Sequence, residues 1–124
     1  MGRLAITGFA LSLALCMPAT LRAAEEGGGG KEVSVKGEVI DTFCYATMGA
    51  KGPSHKQCGI DCAHKGIPVG LLEPGSGKIH VLLPTKDKTA LSDEVINKMG
   101  ETVTVTGHEH MKGGLAFLTA ESVK

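Results

Sequence analysis

The chain has 124 residues, and its 13 basic and 13 acidic side chains give a formal net charge of zero. Aromatic residues make up only 3% of the sequence, and tryptophan is absent. Proteins that bind single-stranded nucleic acid need a basic groove with several stacking aromatics, so no nucleic-acid partner is expected. The length suits one small domain with one hydrophobic core.

The amino terminus has the features of a secretory signal peptide, predicted to span 1–24. It has a positive charge at Arg3, continues through a nearly unbroken apolar run, and ends in small residues after Pro18. The apolar run is about 14 residues long, against the roughly 20 that a membrane-spanning helix needs. No transmembrane segment is therefore expected in the mature chain, and the predicted location is the periplasm or the cell exterior.

Cys16 offers an alternative to simple export. The segment 13–15 ahead of it resembles a lipobox, which would make Cys16 a lipid anchor, but Leu15 stands where that motif has a small residue. Cleavage near residue 23 or 24 removes Cys16 and leaves three cysteines in an oxidising compartment. Three is an odd number, so at least one thiol needs a role other than a disulfide within the chain.

The mature chain begins with a glycine-rich segment, 25–31, which is predicted to be a flexible linker. A single domain is predicted to follow at 32–124. It opens with a strand, because Val33, Val35 and Val39 alternate with polar residues at the period of two that a half-buried strand requires.

Four more strands and one helix are predicted further along the chain. The strands are expected at 69–73, 79–83, 101–107 and 115–123. The helix is expected at 89–99, because Leu91, Val95 and Met99 recur every four residues and Gly100 is suited to end a helix.

The order of these elements is a strand, a long insertion, a hairpin, a helix and a second hairpin, and it resembles an OB-fold barrel. The segments 101–107 and 114–123 look like the last strand pair of small exported bacterial OB-fold proteins. The resemblance implies a mainly β domain with a five-stranded barrel, one helix between strands three and four, and a short helix inserted between strands one and two. The Cys-Tyr pair at 44–45, followed by His-x2-Cys-x3-Cys, is similar to a set of such exported proteins and implies no particular activity.

The insertion between the first two strands carries most of the reactive side chains. Ser54 and Gln57 form a capping box and Gly66 is a stop signal, so a short helix is predicted at 55–65. At about 100° per residue, His64 points away from the other reactive side chains of this helix. Those that share one face are His55, Cys58 and Cys62.

Cys44, at the end of the first strand, would complete a Cys3His set with His55, Cys58 and Cys62. Four thiolate and imidazole ligands suit tetrahedral zinc, and a thiolate-rich site suits Cu(I) equally well. The sequence therefore predicts an exported metal-binding protein with a zinc or copper ion, either structural or engaged in metal handling.

A disulfide is the alternative use of these cysteines. Cys44 would pair with Cys58 or Cys62, because residues four apart on a helix hold their Cβ atoms farther apart than a disulfide allows. The chain would then be a disulfide-stapled OB-fold module that binds a small ligand or a protein partner, with one thiol left over.

Several further residues have both a functional and a structural interpretation. Met48 could be a soft thioether ligand or a loop contact, and Asp41 could orient a ligand or form a turn. Tyr45 could also orient a ligand or be a core aromatic with a solvated hydroxyl. His108 and His110, predicted in the loop between the last two strands, could bind an ion or lie in a solvated hairpin. His80 is predicted to be exposed.

The sequence does not predict an enzyme. The Cys-x3-Cys spacing differs from the Cys-x-x-Cys of thiol oxidoreductases, and there is no catalytic triad order or phosphate-binding loop.

Overall fold

The computed structural model describes residues 29–124. The predicted signal peptide, Cys16 and most of the predicted linker lie outside the described residues. None of the helices within residues 29–124 combines the length and the apolar character that a membrane span requires.

Five strands form a closed barrel. They are β1 (Lys31–Asp41), β2 (Val69–Leu72), β3 (Ile79–Leu83), β4 (Thr102–Lys112) and β5 (Leu115–Val123). The order around the barrel is β1-β2-β3-β5-β4, and β4 pairs back with β1. Only β3 and β5 are parallel, and the other four neighbouring pairs are antiparallel. The predicted OB-fold-like barrel is thereby confirmed.

Three helices connect the strands. They are α1 (Thr42–Met48), α2 (Lys56–His64) and α3 (Asp93–Ile96). The first two lie between β1 and β2, and a single 3-10 turn, Pro53–His55, leads into α2. The third lies between β3 and β4, where the sequence predicted a helix.

Apolar side chains from all five strands fill the barrel. Val39, Leu71, Val105 and Leu118 are completely buried. Burying a side chain of this size contributes roughly 1.5–3 kcal/mol, so this layer is the main source of stability. Met99, which follows α3, is 1% exposed and packs into the same cluster.

The helix α3 is shorter than the predicted 89–99. Ser92 is extended, with ψ of 145°, so the chain before it cannot be helical. After α3 the backbone tightens, because Met99 N–H donates to the carbonyl three residues earlier, on Ile96. Gly100 was predicted to end the helix, but α3 ends at Ile96 with Asn97 as its C-cap. Gly100 lies in the following turn, with φ of 75°, and its N–H donates to the carbonyl of Val39.

The helix α1 was not predicted. Asp41 caps it, because its Oδ1 accepts a hydrogen bond from the backbone N–H of Cys44 at 2.8 Å. Gly49 ends it in the left-handed conformation, with φ of 67°.

The predicted capping box at the start of α2 was wrong. The 3-10 turn begins after Gly52, and no side chain caps it or α2. Gln57 instead donates from Nε2 to Oδ1 of Asp61, one helical turn ahead, at 2.9 Å. The helix itself, Lys56–His64, lies within the predicted range 55–65.

Strand β4 is longer than the predicted 101–107 and ends at Lys112. His108 and His110 therefore lie within a strand that pairs with both β1 and β5, and the prediction that they occupy a loop was wrong. The turn is confined to Gly113 and Gly114, both with positive φ, as the two-residue turns of tight hairpins require.

His80 is buried at 1% exposure, so the prediction that it is exposed was also wrong. Its Nε2 lies 2.5 Å from Glu73 Oε1, and its Nδ1 lies 3.2 Å from Glu109 Oε1. Lys78 Nζ donates to the same Glu109 oxygen at 2.8 Å. The buried imidazole is stabilised by the hydrogen bond between Nε2 and Glu73, whereas Nδ1 makes no hydrogen bond within the described residues despite its proximity to Glu109.

Candidate metal centre

The centre begins where β1 turns into α1. The cap formed by Asp41 starts a helix immediately after the strand, and this change of direction carries Cys44 into the interior at 4% exposure. Asp41 is itself completely buried. A thiol and a carboxylate thus lie side by side under the insertion.

The 3-10 turn and α2 bring the remaining side chains over this pair. His55 Nε2 lies 2.7 Å from Asp41 Oδ2, and the side chain of His55 is 15% exposed. Asp41 thus uses one oxygen for the backbone of Cys44 and the other for His55. The two parts of the insertion are joined through this one carboxylate.

Gly59 allows α2 to approach the barrel closely. A Cβ atom at this position would lie 2.5 Å from Met99 Cγ and 3.5 Å from Asp41 Oδ2. The first distance is well inside van der Waals contact, so a larger residue would force a displacement. Cys58 and Cys62 lie on either side of this glycine in the sequence. The close packing of Gly59 therefore determines how near these two cysteines lie to the barrel.

Two overlapping groups of side chains are close enough to hold a metal ion. One consists of Cys44, His55 and Cys58, and the other of Asp41, Cys44 and Cys62. Within each group the potential ligand atoms lie within 4.8 Å of one another. Each residue of the predicted Cys3His set belongs to one of these groups, and Cys44 belongs to both, but neither group contains all four residues.

The three cysteines among residues 29–124 are free thiols that differ in their access to solvent. Cys44 is buried, Cys62 is partly buried and Cys58 is exposed. The centre therefore has a closed side towards the barrel and an open side towards solvent.

Hydrogen bonding and burial set the protonation of the centre. Burial raises the pKa of Asp41, but the hydrogen bonds from the Cys44 backbone and from His55 outweigh it and leave this pKa below its usual value. Burial, with the adjacent Asp41 carboxylate, raises the pKa of the Cys44 thiol to about 12. Burial and the same carboxylate also raise the pKa of Cys62.

These pKa shifts describe the metal-free protein, in which the Cys44 and Cys62 thiols are held protonated. A cation would replace those protons, because the thiolate is the form that binds metals. Metal binding at this centre would therefore release protons and strengthen as the pH rises.

The other candidate ligands lie elsewhere. Met48 is the last residue of α1 and is 67% exposed. His108 Nδ1 pairs with Glu121 Oε1 at 2.7 Å, and neither His108 nor His110 belongs to a potential metal group in the described part of the chain. His64 lies on the far side of α2, where its Nε2 is 3.0 Å from Asp93 Oδ1.

From the sequence, Asp41 was equally a turn residue or a residue that orients a ligand; in the structure it caps α1 and hydrogen-bonds His55. It also lies within one of the two potential metal groups. The signal was its position at the end of a strand and eight residues before Gly49, which is the pattern of a short capped helix.

No family model, curated protein or solved structure matches this chain.

Proposed function

We propose that this chain is an exported metal-binding protein that holds one zinc or Cu(I) ion. Cys44, Cys58 and Cys62 would bind as thiolates and His55 as a neutral imidazole. The observation that carries the proposal is the placement of these four side chains in two groups that share Cys44, each within 4.8 Å.

The distances suit a site that tightens on binding. Ligand sulfurs around tetrahedral zinc lie roughly 3.8 Å apart, given a Zn–S bond of about 2.3 Å. Ligand atoms within either group lie within 4.8 Å and need to approach one another by about 1 Å or less to reach that separation, and binding all four residues would also require the two groups to close towards each other. Rotation of the cysteine side chains on α1 and α2 supplies movement of this size.

Asp41 supports the proposal by fixing His55. A neutral imidazole that donates its Nε2 hydrogen to the Asp41 carboxylate keeps the lone pair on Nδ1, the atom then free to bind a metal. Metal-binding histidines commonly use a carboxylate in this way, which fixes the tautomer and orients the ring.

The test is elemental analysis of the mature protein purified from the exported fraction, without added metal. We expect about one equivalent of zinc or copper per chain and three thiols that become titratable only after chelation. His55→Ala should lower the metal content, whereas His64→Ala, a change on the far side of the same helix, should leave it unchanged. A metal-free protein that does not take up added zinc or Cu(I) would refute the proposal.

A second candidate function is an OB-fold module that binds a small ligand. It is favoured by a cleft of about 250 Å³, bordered by α1, β1 and the β2–β3 turn. Its lining includes Glu38, Tyr45, Lys51, Leu72, Glu73 and Thr102. Tyr45 thus lines a polar cleft and is only half-buried. A Cys44 disulfide found by nonreducing peptide mapping, together with ligand binding weakened by Tyr45→Ala, would favour this function over metal binding.

A further inference from the structure

We infer that Cys58 is the exchange ligand of the proposed site, through which a thiol-bearing partner removes the metal ion or supplies it. This inference rests on the proposed function and decides between metal handling and a purely structural role.

The first reason is the position of Cys58 on the open side of the centre. It is the only exposed cysteine among residues 29–124. Its neighbour Gln57 and the residue one turn ahead, Asp61, are also exposed. Because the surrounding side chains are polar and solvated, a partner thiol can approach this vertex without displacing packed apolar groups.

The second reason is the overlap of the two metal groups. Cys58 belongs only to the outer group, while Asp41, Cys44 and Cys62 form an inner group that does not contain it. An ion that loses Cys58 therefore still has three side chains within reach. Cys44, shared and buried, holds the ion in either arrangement.

The exchange step is a ligand substitution in which no electrons are transferred. A partner thiol gives up its proton and its sulfur forms a bond to the metal. The bond from the metal to the Cys58 sulfur breaks, and the released Cys58 thiolate takes a proton. Repeating this step at the remaining ligands would complete the transfer to the partner.

Chemical rescue with reduced glutathione tests the inference. Zinc affinity is measured by competition with a chromophoric chelator for Cys58→Ala and Cys62→Ala, with and without glutathione. The vertex vacated in Cys58→Ala opens to solvent, so glutathione should restore zinc affinity by on the order of tenfold, equivalent to about 1.4 kcal/mol. Native mass spectrometry should show a complex of Cys58→Ala, zinc and one glutathione.

Cys62→Ala is the matched control, because its vertex faces the interior beside Cys44 and Asp41. Glutathione should not restore its zinc affinity. Equal rescue of both variants, or rescue of neither, would overturn the inference. Circular dichroism without metal would show that both variants retain the barrel.

Zinc binding by the wild-type protein distinguishes a failure of the proposed function from a failure of the exchange role of Cys58. If it binds no zinc, the proposed function fails. If it binds zinc but glutathione does not rescue Cys58→Ala, the metal site stands and the exchange role fails.

Discussion

Asp41 links the fold to the candidate metal centre through a single side chain. Its Oδ1 starts α1 by accepting from the backbone of Cys44, and its Oδ2 holds His55. Both contacts are made inside the protein, where a lost partner leaves an unsatisfied polar group at a cost of about 1–3 kcal/mol. A change at this residue therefore affects the helix start and the imidazole together, and the two effects need to be separated.

Asp41→Asn is designed to make that separation. Its amide oxygen can still accept from the Cys44 backbone, so α1 keeps its cap. The amide nitrogen then faces His55 Nε2, which must become an acceptor, and the hydrogen moves to Nδ1. We expect zinc affinity to fall by roughly 10- to 100-fold, with only a small change in metal-free stability.

Chelator competition and thermal unfolding measure these two quantities. Asp41→Ala is the control that removes the cap as well, and it should also lower the free energy of unfolding by about 1 kcal/mol or more. Unchanged zinc affinity in Asp41→Asn would argue against a ligand role for His55.

At the scale of elements, the position of α2 depends on Gly59. Alanine is favoured over glycine inside a helix by about 1 kcal/mol, but overpacking a core typically costs about 1–3 kcal/mol. We expect the cost of overpacking to exceed the gain in helix propensity, because the new methyl group would overlap Met99, which is only 1% exposed and has little room to move.

Gly59→Ala is therefore expected to lower the free energy of unfolding by about 1 kcal/mol and to weaken metal binding by shifting α2 outward. Met99→Ala removes the side-chain atoms that the new methyl group would meet. In that background Gly59→Ala should be neutral or stabilising. Additive effects in this double-mutant cycle, measured by urea denaturation, would contradict the packing argument.

The strands and the barrel were predictable because alternation of apolar and polar residues reports which faces are buried. The bounds 115–123 of β5 were predicted without error. The helix α1 was not, because Phe43 and Tyr45 favour strands and only Asp41 and Gly49 indicated a helix.

The residues of the candidate centre could be predicted from the sequence, but the extent to which they are buried could not. The spacing of His55, Cys58 and Cys62 on one helical face is a local property of the sequence. The burial of Cys44 depends on the turn into α1, which was missed. The burial of His80 was missed because alternation alone does not say which set of β3 side chains faces the barrel, and His80 and Leu82 are the buried ones.

At the scale of the whole molecule, ion pairs that connect separate elements make stability depend on pH. The hydrogen bond with His80 lowers the pKa of Glu73, and the hydrogen bond from Lys78 lowers that of Glu109. A carboxyl whose pKa is lower in the folded state than in the unfolded state binds fewer protons when folded. Its stabilising effect is present above the usual glutamate pKa and is lost as the pH falls through the lowered value.

We therefore expect the melting temperature to fall as the pH drops below about 4.5. Glu73→Gln should flatten this dependence while lowering stability at pH 7. Glu32→Gln, a change at an exposed residue of β1, should do neither. Melting curves between pH 3 and pH 7 measure the effect, and identical slopes for wild type and Glu73→Gln would contradict it.

The closure of the barrel has a consequence for the order of folding. The side chains of Ser34 and Thr106, which are hydrogen-bonded, are 72 residues apart in the sequence. Those of His55 and Asp41, also hydrogen-bonded, are only 14 residues apart. Because the entropy cost of joining two points grows with the length of chain between them, the segment that carries the candidate metal centre should be the earlier to become ordered. Zinc present from the start of refolding should then speed the appearance of native structure, whereas zinc added after the barrel has closed should only slow its unfolding.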